Sequence, residues 1–127
     1  MTEVVLDASA LIAFLRKEPG AGKVEAVLSR ACISAVNLTE TITKMIDYGK
    51  PLEQVAHQIS RLQIPVIHFD PELAHIAASL RASTRQAGLS LGDRACLALA
   101  LKKNLPAFTT DDEWKKCKHG VQVVKIR

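Results

Sequence analysis

The chain has 127 residues, of which 48% are hydrophobic and 24% charged, with a formal net charge of +4 and a pI near 9.1. This composition predicts one domain, spanning residues 1–127, with its own core, and it excludes a disordered chain. No apolar run approaches the roughly 20 residues of a membrane span, so no membrane association is expected. The unpaired cysteines Cys32, Cys96 and Cys117 and the lack of a secretory signal predict a reduced, cytoplasmic protein.

Short apolar runs alternate with helical patterns along the chain. In chain order, strand 3–6 precedes helices 8–17 and 20–29, strand 31–34 precedes helices 36–48 and 51–62, strand 65–68 precedes helices 71–86 and 92–103, and strand 107–110 precedes a helical turn at 113–116 and a closing strand at 121–126. Strands that alternate with helices predict an α/β fold, with a parallel sheet covered by helices on both faces.

Four acidic residues occupy comparable places in these elements. Asp7 and Asp111 each follow a strand, while Glu40 and Asp93 lie in the first turns of helices. The carboxyl ends of parallel strands and the starts of the next helices share one edge of a sheet, where such folds bind ligands. The helix after Asp93 advances about 16 Å and the following strand returns about 16 Å, which brings Asp111 back beside Asp93.

Each acid taken alone has an ordinary structural explanation. Asp7 and Asp93 are suitable helix caps, Asp111 suits a turn, and Glu40 suits a solvated helix face. Four converging carboxylates, however, repel one another and stay ionised only when a cation neutralises them, and oxygen donors are the ligands of hard divalent ions. The pattern therefore favours a metal site.

The remaining surface is more basic than the net charge indicates, because the acids gather at one edge. An acidic metal site within a basic surround suits a polyanionic substrate, although an ordinary basic protein would share the same pI. The basic residues predicted to contact such a substrate are Lys44, Arg81, Arg85 and Arg94. The histidines do not cluster with the acids in the predicted fold and are interpreted as surface or packing residues, with His119 the first exception to test.

Four segments carry the acids: VVLDASAL at 4–11, ISAVNLTE at 33–40, LSLGDRACLALA at 89–100 and FTTD at 108–111. In this order and spacing they resemble the motifs of PIN-domain nucleases, and more narrowly those of the VapC toxins of bacterial toxin–antitoxin operons. The resemblance covers essentially the whole chain. It implies a three-layer α/β/α sandwich with a mostly parallel central sheet.

The resemblance also implies an activity and a set of partners. It implies an endoribonuclease that uses Mg²⁺ or Mn²⁺ to activate water against RNA phosphodiester bonds, a homodimer, and inhibition by a VapB-type antitoxin. Matched position by position, the catalytic and metal-binding residues would be Asp7, Glu40, Asp93 and Asp111. Ser9 and Thr109 match supporting hydroxyl positions. The run Thr109-Thr110-Asp111-Asp112 supplies two adjacent acids; register with Thr109 favours Asp111, and Asp112 is kept as a supporting or substitute ligand.

Three other functions are compatible with parts of this pattern. A receiver-type Mg²⁺-binding signalling domain would show paired acids before the first strand's end, where only Glu3 is found. A haloacid-dehalogenase phosphatase would need an aspartate at Ser9. A catalytically silent PIN-like module would bind RNA or protein only. Metal-dependent RNA cleavage that chelation abolishes would separate all three from the nuclease.

Overall fold

The protein, described by a computed structural model over residues 1–127, contains a five-stranded sheet in which every pair of neighbouring strands is parallel. The strands are β1 (Val4–Leu6), β2 (Ala31–Ser34), β3 (Val66–Ile67), β4 (Ala107–Thr109) and β5 (Val123–Lys125). The helices are α1 (Ala8–Leu15), α2 (Ala21–Val27), α3 (Ala35–Asp47), α4 (Leu52–Ser60), α5 (Pro71–Ser79), α6 (Arg81–Thr84) and α7 (Leu91–Lys103). Short 3₁₀ turns follow α2 at Leu28–Arg30 and β4 at Asp112–Lys116.

The sheet is apolar on both faces, and helices cover each face. In β1, Val5 packs in one core cluster with residues of α5 and α7, whereas Val4 and Leu6 pack in a second cluster with residues of α1 and α2. Successive side chains of a strand point to opposite faces, so one short strand serves both clusters. The predicted three-layer α/β/α sandwich is confirmed.

The strand order β3-β2-β1-β4-β5 places the reversal of the chain at β1. The chain first moves outward from β1 through β2 to β3, then returns to lay β4 against the other side of β1. The backbone N–H of Asp7 donates to the carbonyl of Phe108 at 3.1 Å, which joins the ends of β1 and β4. Open α/β sheets form their ligand crevice at such a reversal, outside the carboxyl ends of the strands.

A third apolar cluster ties α4 to the body of the fold. Met45 of α3 packs against Val55 and Ile59 of α4, and Leu15 at the end of α1 joins them. The C-terminal ends of α1, α3 and α4 are thereby gathered on one side of the molecule. No helix is both long and apolar enough to cross a bilayer.

The single helix predicted at 71–86 is divided into α5 and α6 at Leu80. The hydroxyls of Ser79 and Thr84 donate to the carbonyls of Ile76 and Leu80, at 2.6 and 2.7 Å. Such bonds compete with the backbone donors of a regular helix. The helix predicted at 20–29 likewise tightens into a 3₁₀ turn after Val27.

Two of the three cysteines are core residues, as expected. Cys32 and Cys96 are fully buried in the cluster between the sheet and α7, and all three thiols are free. Burial raises the pKa of the Cys32 thiol to about 11, so this side chain stays neutral and acts as a small apolar group.

Candidate metal centre

The four acids identified in the sequence line one cavity of about 360 Å³ at the carboxyl ends of β1 and β4. Asp7 arrives from the end of β1, Glu40 from α3, Asp93 from the first turn of α7 and Asp111 from the segment after β4. The other lining residues are Ala8, Ser9, Ile12, Asn37, Lys44 and Thr110.

Asp7 is the N-cap of α1 and is 5% exposed. Its Oδ1 accepts from the backbone N–H of Ala10 at 2.8 Å, and the Ser9 hydroxyl donates to the same carboxylate at 2.7 Å. On its other oxygen, Oδ2 accepts from the hydroxyl of Thr109 at 2.6 Å. A carboxylate held by three donors has a fixed orientation, which a ligand site requires.

The two hydroxyls also tie Asp7 to the segment after β4. The backbone N–H of Thr110 donates to Ser9 Oγ at 3.0 Å, and the backbone N–H of Asp111 donates to Thr109 Oγ1 at 3.0 Å. Each hydroxyl therefore accepts from this segment and donates to Asp7. This hydroxyl pair sets the position of Asp111 relative to Asp7.

Burial raises the pKa of Asp7 from 3.8 to about 6. The hydrogen bonds from Thr109, Ala10 and Ser9 oppose that increase, and the charge of Asp93 adds to it. Loss of hydration thus outweighs the three donors. A nearby positive charge would therefore favour the ionised form of the Asp7 carboxyl.

Asp93 combines a structural role with its place in the cavity. It is the third residue of α7, where its Oδ2 accepts from the N–H of Ser90 at 2.9 Å and its own N–H donates to Ser90 Oγ at 3.1 Å, forming a capping box. Burial raises the pKa of Asp93, and the charge of Asp111 contributes to the increase. The indole of Trp114 is nearby and opposes this increase in the pKa of Asp93. The indole Nε1 is itself buried, with no partner at hydrogen-bonding distance and angle.

Glu40 is held by a residue one helical turn earlier. The Asn37 side-chain amide donates to Glu40 Oε1 at 2.8 Å and to the carbonyl of Gly92 at 2.9 Å, so one amide joins α3 to α7. The Glu40 carboxylate lies directly against the backbone of Gly92, where a Cβ would collide with it. Glu40 can therefore keep this position only while residue 92 has no side chain.

Of the two adjacent acids after β4, only Asp111 lines the cavity. Asp111 begins the 3₁₀ turn and accepts from the N–H of Glu113 at 2.8 Å. Asp112 is exposed, and its carboxylate is paired with Lys125 of β5. The ion pair lowers the pKa of Asp112 and holds it outside the acid cavity, so the supporting role predicted for it lacks a contact in this structure.

The donor set has the composition that a hard divalent cation takes: four carboxylates with an adjacent amide. As they stand, no three His, Cys, Asp or Glu side chains in the protein form a group that could hold a metal ion. The carboxylates are engaged by neighbouring backbone and side-chain donors instead. Asn37 Oδ1, in the cavity wall, is a buried acceptor without a partner, which a cation or its hydration shell would satisfy. The chemistry of the residues therefore fits Mg²⁺ or Mn²⁺, with local adjustment of the carboxylates.

The basic residues predicted to contact RNA divide into two groups. Lys44 lines the acid cavity, one turn of α3 beyond Glu40. Arg81 and Arg85 are exposed outside the cavity, at α6. Arg94 is half-buried, its Nη1 donates to the Ala77 carbonyl at 3.0 Å and its Nε is buried, while its predicted contact with RNA stays a prediction. Arg94 thereby fastens α7 to α5.

None of the four histidines lines the acid cavity. His119, the suggested exception, has a structural contact on each ring nitrogen. Its Nδ1 accepts from the N–H of Val121 at 3.0 Å, and Nε2 lies 2.7 Å from the carbonyl of Trp114. These bonds fix the connection into β5.

Two residues of the site were missed in the sequence, although each had a local signal. Asn37 precedes Glu40 by three positions, the spacing of neighbours on a helix face. Gly92 lies within the first turn of a helix, where alanine would be more favourable unless a neighbour needed the space. Together they position one of the four acids.

Comparison with known proteins agrees with this fold. The model of the PIN domain family matches residues 4–120, so the chain belongs to the PIN domain family. Membership in this family sets aside the receiver-type and dehalogenase-type alternatives. No curated protein sequence matches the chain.

Several solved structures share the fold at low sequence identity. DNA-bound VapBC from Salmonella typhimurium has a TM-score of 0.77 at 19% identity, with 100% of both chains covered. FitAcB from Neisseria gonorrhoeae has a TM-score of 0.72 at 20% identity, covering 97% of each chain. VapC20 of Mycobacterium tuberculosis, a Sarcin-Ricin loop cleaving toxin, has a TM-score of 0.72 at 19% identity, covering 90% of this chain and 94% of that one. The chain therefore has the fold of VapC-type toxins.

Proposed function

We propose that this protein is a metal-dependent endoribonuclease acting as the toxin of a VapBC-type toxin–antitoxin pair. The observation that carries the proposal is the shared cavity of Asp7, Glu40, Asp93 and Asp111 at the sheet's reversal point. Family membership and the fold shared with a Sarcin-Ricin loop cleaving toxin support the choice of RNA.

In the proposed reaction the four carboxylates would hold Mg²⁺ or Mn²⁺. When bound, such a cation lowers the pKa of water and stabilises the charge that develops on a phosphodiester. Ser9 and Thr109 keep Asp7 oriented, and Asn37 keeps Glu40 oriented, so the oxygens face the substrate in a fixed arrangement. Lys44 supplies a positive charge at the cavity wall for the phosphate. Attack by water leaves a 5′-phosphate and a 3′-hydroxyl.

The proposed partners are a VapB-type antitoxin and a second copy of the chain. Structural matches include DNA-bound VapBC and a toxin–antitoxin complex from Klebsiella pneumoniae, with TM-scores of 0.77 and 0.73. We expect the antitoxin to place an Arg or Lys among the four carboxylates, where it would exclude the cation. Exposed apolar side chains at the edge formed by α3 and α4, namely Ile46 and Leu52, are available for the homodimer.

The test is cleavage of total RNA by the purified protein with Mg²⁺ or Mn²⁺, with and without chelator. Asp93→Asn removes one carboxylate charge, whereas Asp47→Asn removes the same charge from the exposed end of α3. We expect cleavage by the parent protein and Asp47→Asn, and none by Asp93→Asn or after chelation. RNA binding without cleavage under every metal condition would identify a silent PIN module instead.

A further inference from the structure

A second cavity, of about 720 Å³, lies where the C-terminal ends of α1, α3 and α4 meet. Its wall contains four residues with full positive charge, together with His57. The four are Arg16, Lys17, Lys50 and Arg61. No aspartate or glutamate lines this basic cavity, in contrast to the acid cavity.

The charges of this basic cavity are mostly uncompensated. Lys17, Lys50 and Arg61 take part in none of the ion pairs of the structure. Arg16 is held in place: its Nε lies 3.0 Å from a Glu18 carboxylate oxygen, and its guanidinium lies 3.5 Å from the centre of the Tyr48 ring. Three free cations beside one oriented guanidinium make a site of positive potential.

Capping of helix ends explains only part of this arrangement. Cations stabilise helix C-termini, and Arg16 and Arg61 are the C-cap residues of α1 and α4. Backbone donors already serve these ends: Glu18 N–H bonds the Ala13 carbonyl at 2.8 Å, and Lys50 N–H bonds the Met45 carbonyl at 3.1 Å. Each helix end carries about half a negative charge, so three ends fall short of four full positive charges.

The same two helices carry both cavities. In α1, Ser9 lines the acid cavity and Arg16, directly after the helix, lines the basic one. In α3, Lys44 lines the acid cavity and Met45 the basic one. Seven residues of α1 cover about 10 Å, which corresponds to about three stacked nucleotides at roughly 3.4 Å each.

We propose that the basic cavity formed by Arg16, Lys17, Lys50 and Arg61 binds backbone phosphates of the RNA strand a few nucleotides from the bond held at the acid cavity. The proposal rests on the proposed ribonuclease function for its ligand. It assigns separate roles to the two cavities: the acid cavity reacts with one phosphate, and the basic cavity contributes binding energy to any RNA long enough to reach it. The contribution is electrostatic, so it is independent of base sequence.

The test uses the full chain with Asp93→Asn, so that RNA is bound without being cut. Fluorescence anisotropy measures the Kd of a single-stranded RNA of about 12 nucleotides, and of a dinucleotide, whose single phosphodiester cannot reach both cavities, across a salt series. Lys50→Gln/Arg61→Gln should weaken the longer RNA roughly 25-fold at about 0.1 M salt, because each lost phosphate contact contributes a salt exponent of about 0.7. The affinity for the dinucleotide should not change.

Two control variants separate this effect from net charge and from misfolding. Lys23→Gln/Lys103→Gln removes two exposed cations outside the basic cavity and should leave both affinities unchanged. Lys50→Arg/Arg61→Lys keeps the charges and should bind as the parent does. An unchanged Kd and salt slope in the Gln pair would overturn the proposal. If the RNA affinities change as expected but the parent protein never cleaves RNA, the basic cavity is still an RNA-binding site. Only the proposed nuclease function is then removed.

Discussion

The carboxylate of Glu40 occupies the space that a side chain at Gly92 would need. Asn37 fixes this relationship, since its amide donates both to Glu40 and to the carbonyl of Gly92. The backbone of α7 at Gly92 thereby determines where the carboxylate of Glu40, on α3, lies.

Gly92→Ala should separate activity from stability. Glycine is less favourable than alanine inside a helix by about 1 kcal/mol, and the obstructing atoms belong to the mobile end of a side chain, so the thermal midpoint should change little. Displacing Glu40 should reduce Mn²⁺ affinity and RNA cleavage by about tenfold or more. The measurements are a melting curve, calorimetry with Mn²⁺ and a cleavage assay.

Gly22→Ala is the matched control, because Gly22 lies within α2 and a Cβ there meets nothing within 4 Å. It should gain the same helix preference and cleave RNA at the parental rate. Parental cleavage by Gly92→Ala as well would show that Glu40 does not contribute to the reaction.

Asp7→Asn should abolish cleavage and stabilise the metal-free protein at neutral pH. The folded-state pKa of Asp7 is raised to about 6, so the folded protein binds the proton more tightly than the unfolded chain does. Stability is therefore lost as pH rises from about 4 to 6, by about 3 kcal/mol from this group. Asparagine keeps the N-cap acceptor without the charge.

The comparison is made by chemical denaturation in chelator across the pH range. The gain of Asp7→Asn over the parent should be about 1–3 kcal/mol above pH 6 and should disappear near pH 4. Saturating Mn²⁺ should stabilise the parent more than the variant, because a ligand that binds only the folded state stabilises it. If the gain in the free energy of unfolding were constant across pH, burial would not raise the pKa of Asp7.

Asp111→Asn should lower Mn²⁺ affinity and cleavage more than Asp112→Asn does. Asp111 lines the cavity, whereas Asp112 is exposed and paired with Lys125. An ion pair at an exposed carboxylate contributes little to stability, so Asp112→Asn should melt close to the parent. Calorimetry and cleavage rates measured side by side decide the order. A larger loss in Asp112→Asn would move the last ligand by one residue.

Trp114 should report on occupancy of the site. It is the chain's single tryptophan, fully buried, in the 3₁₀ turn that directly follows Asp111. A divalent charge bound at Asp93 changes the field at the indole, so titration with Mg²⁺ should shift its emission. Asp93→Asn should abolish the shift. The same shift in that variant would place the cation elsewhere.

The sheet and the four acids were predictable because they depend on local patterns. Each strand is a short apolar run, and the positions of Asp7 and Asp111 follow directly from the ends of β1 and β4. Parallel strands then bring those ends together whatever the loops between them do.

Other features depend on contacts between distant segments, which local patterns do not contain. The need for glycine at position 92 arises from Glu40, on another helix. The position of the Arg94 side chain depends on the Ala77 carbonyl of α5, to which its Nη1 donates. The division of the helix at Leu80 coincides with hydroxyl bonds to the carbonyls of Ile76 and Leu80, which also accept the backbone N–H groups of Leu80 and Thr84. The basic cavity was likewise invisible, because its cations come from three helix ends.

The hydroxyl pair that joins Asp7 to the segment after β4 also sets the order in which the site can form. Thr109 and Asp7 are 102 residues apart in the chain, and β4 must lie beside β1 before they meet. Pairings of such sequence separation carry a large loop-closure cost and are slow to form. A ribosome-bound chain that has not yet released Thr109 lacks both the hydroxyl that orients Asp7 and the acid that follows it. The acid cavity is therefore assembled late, and fragments that end before β4 contain an incomplete set of ligands.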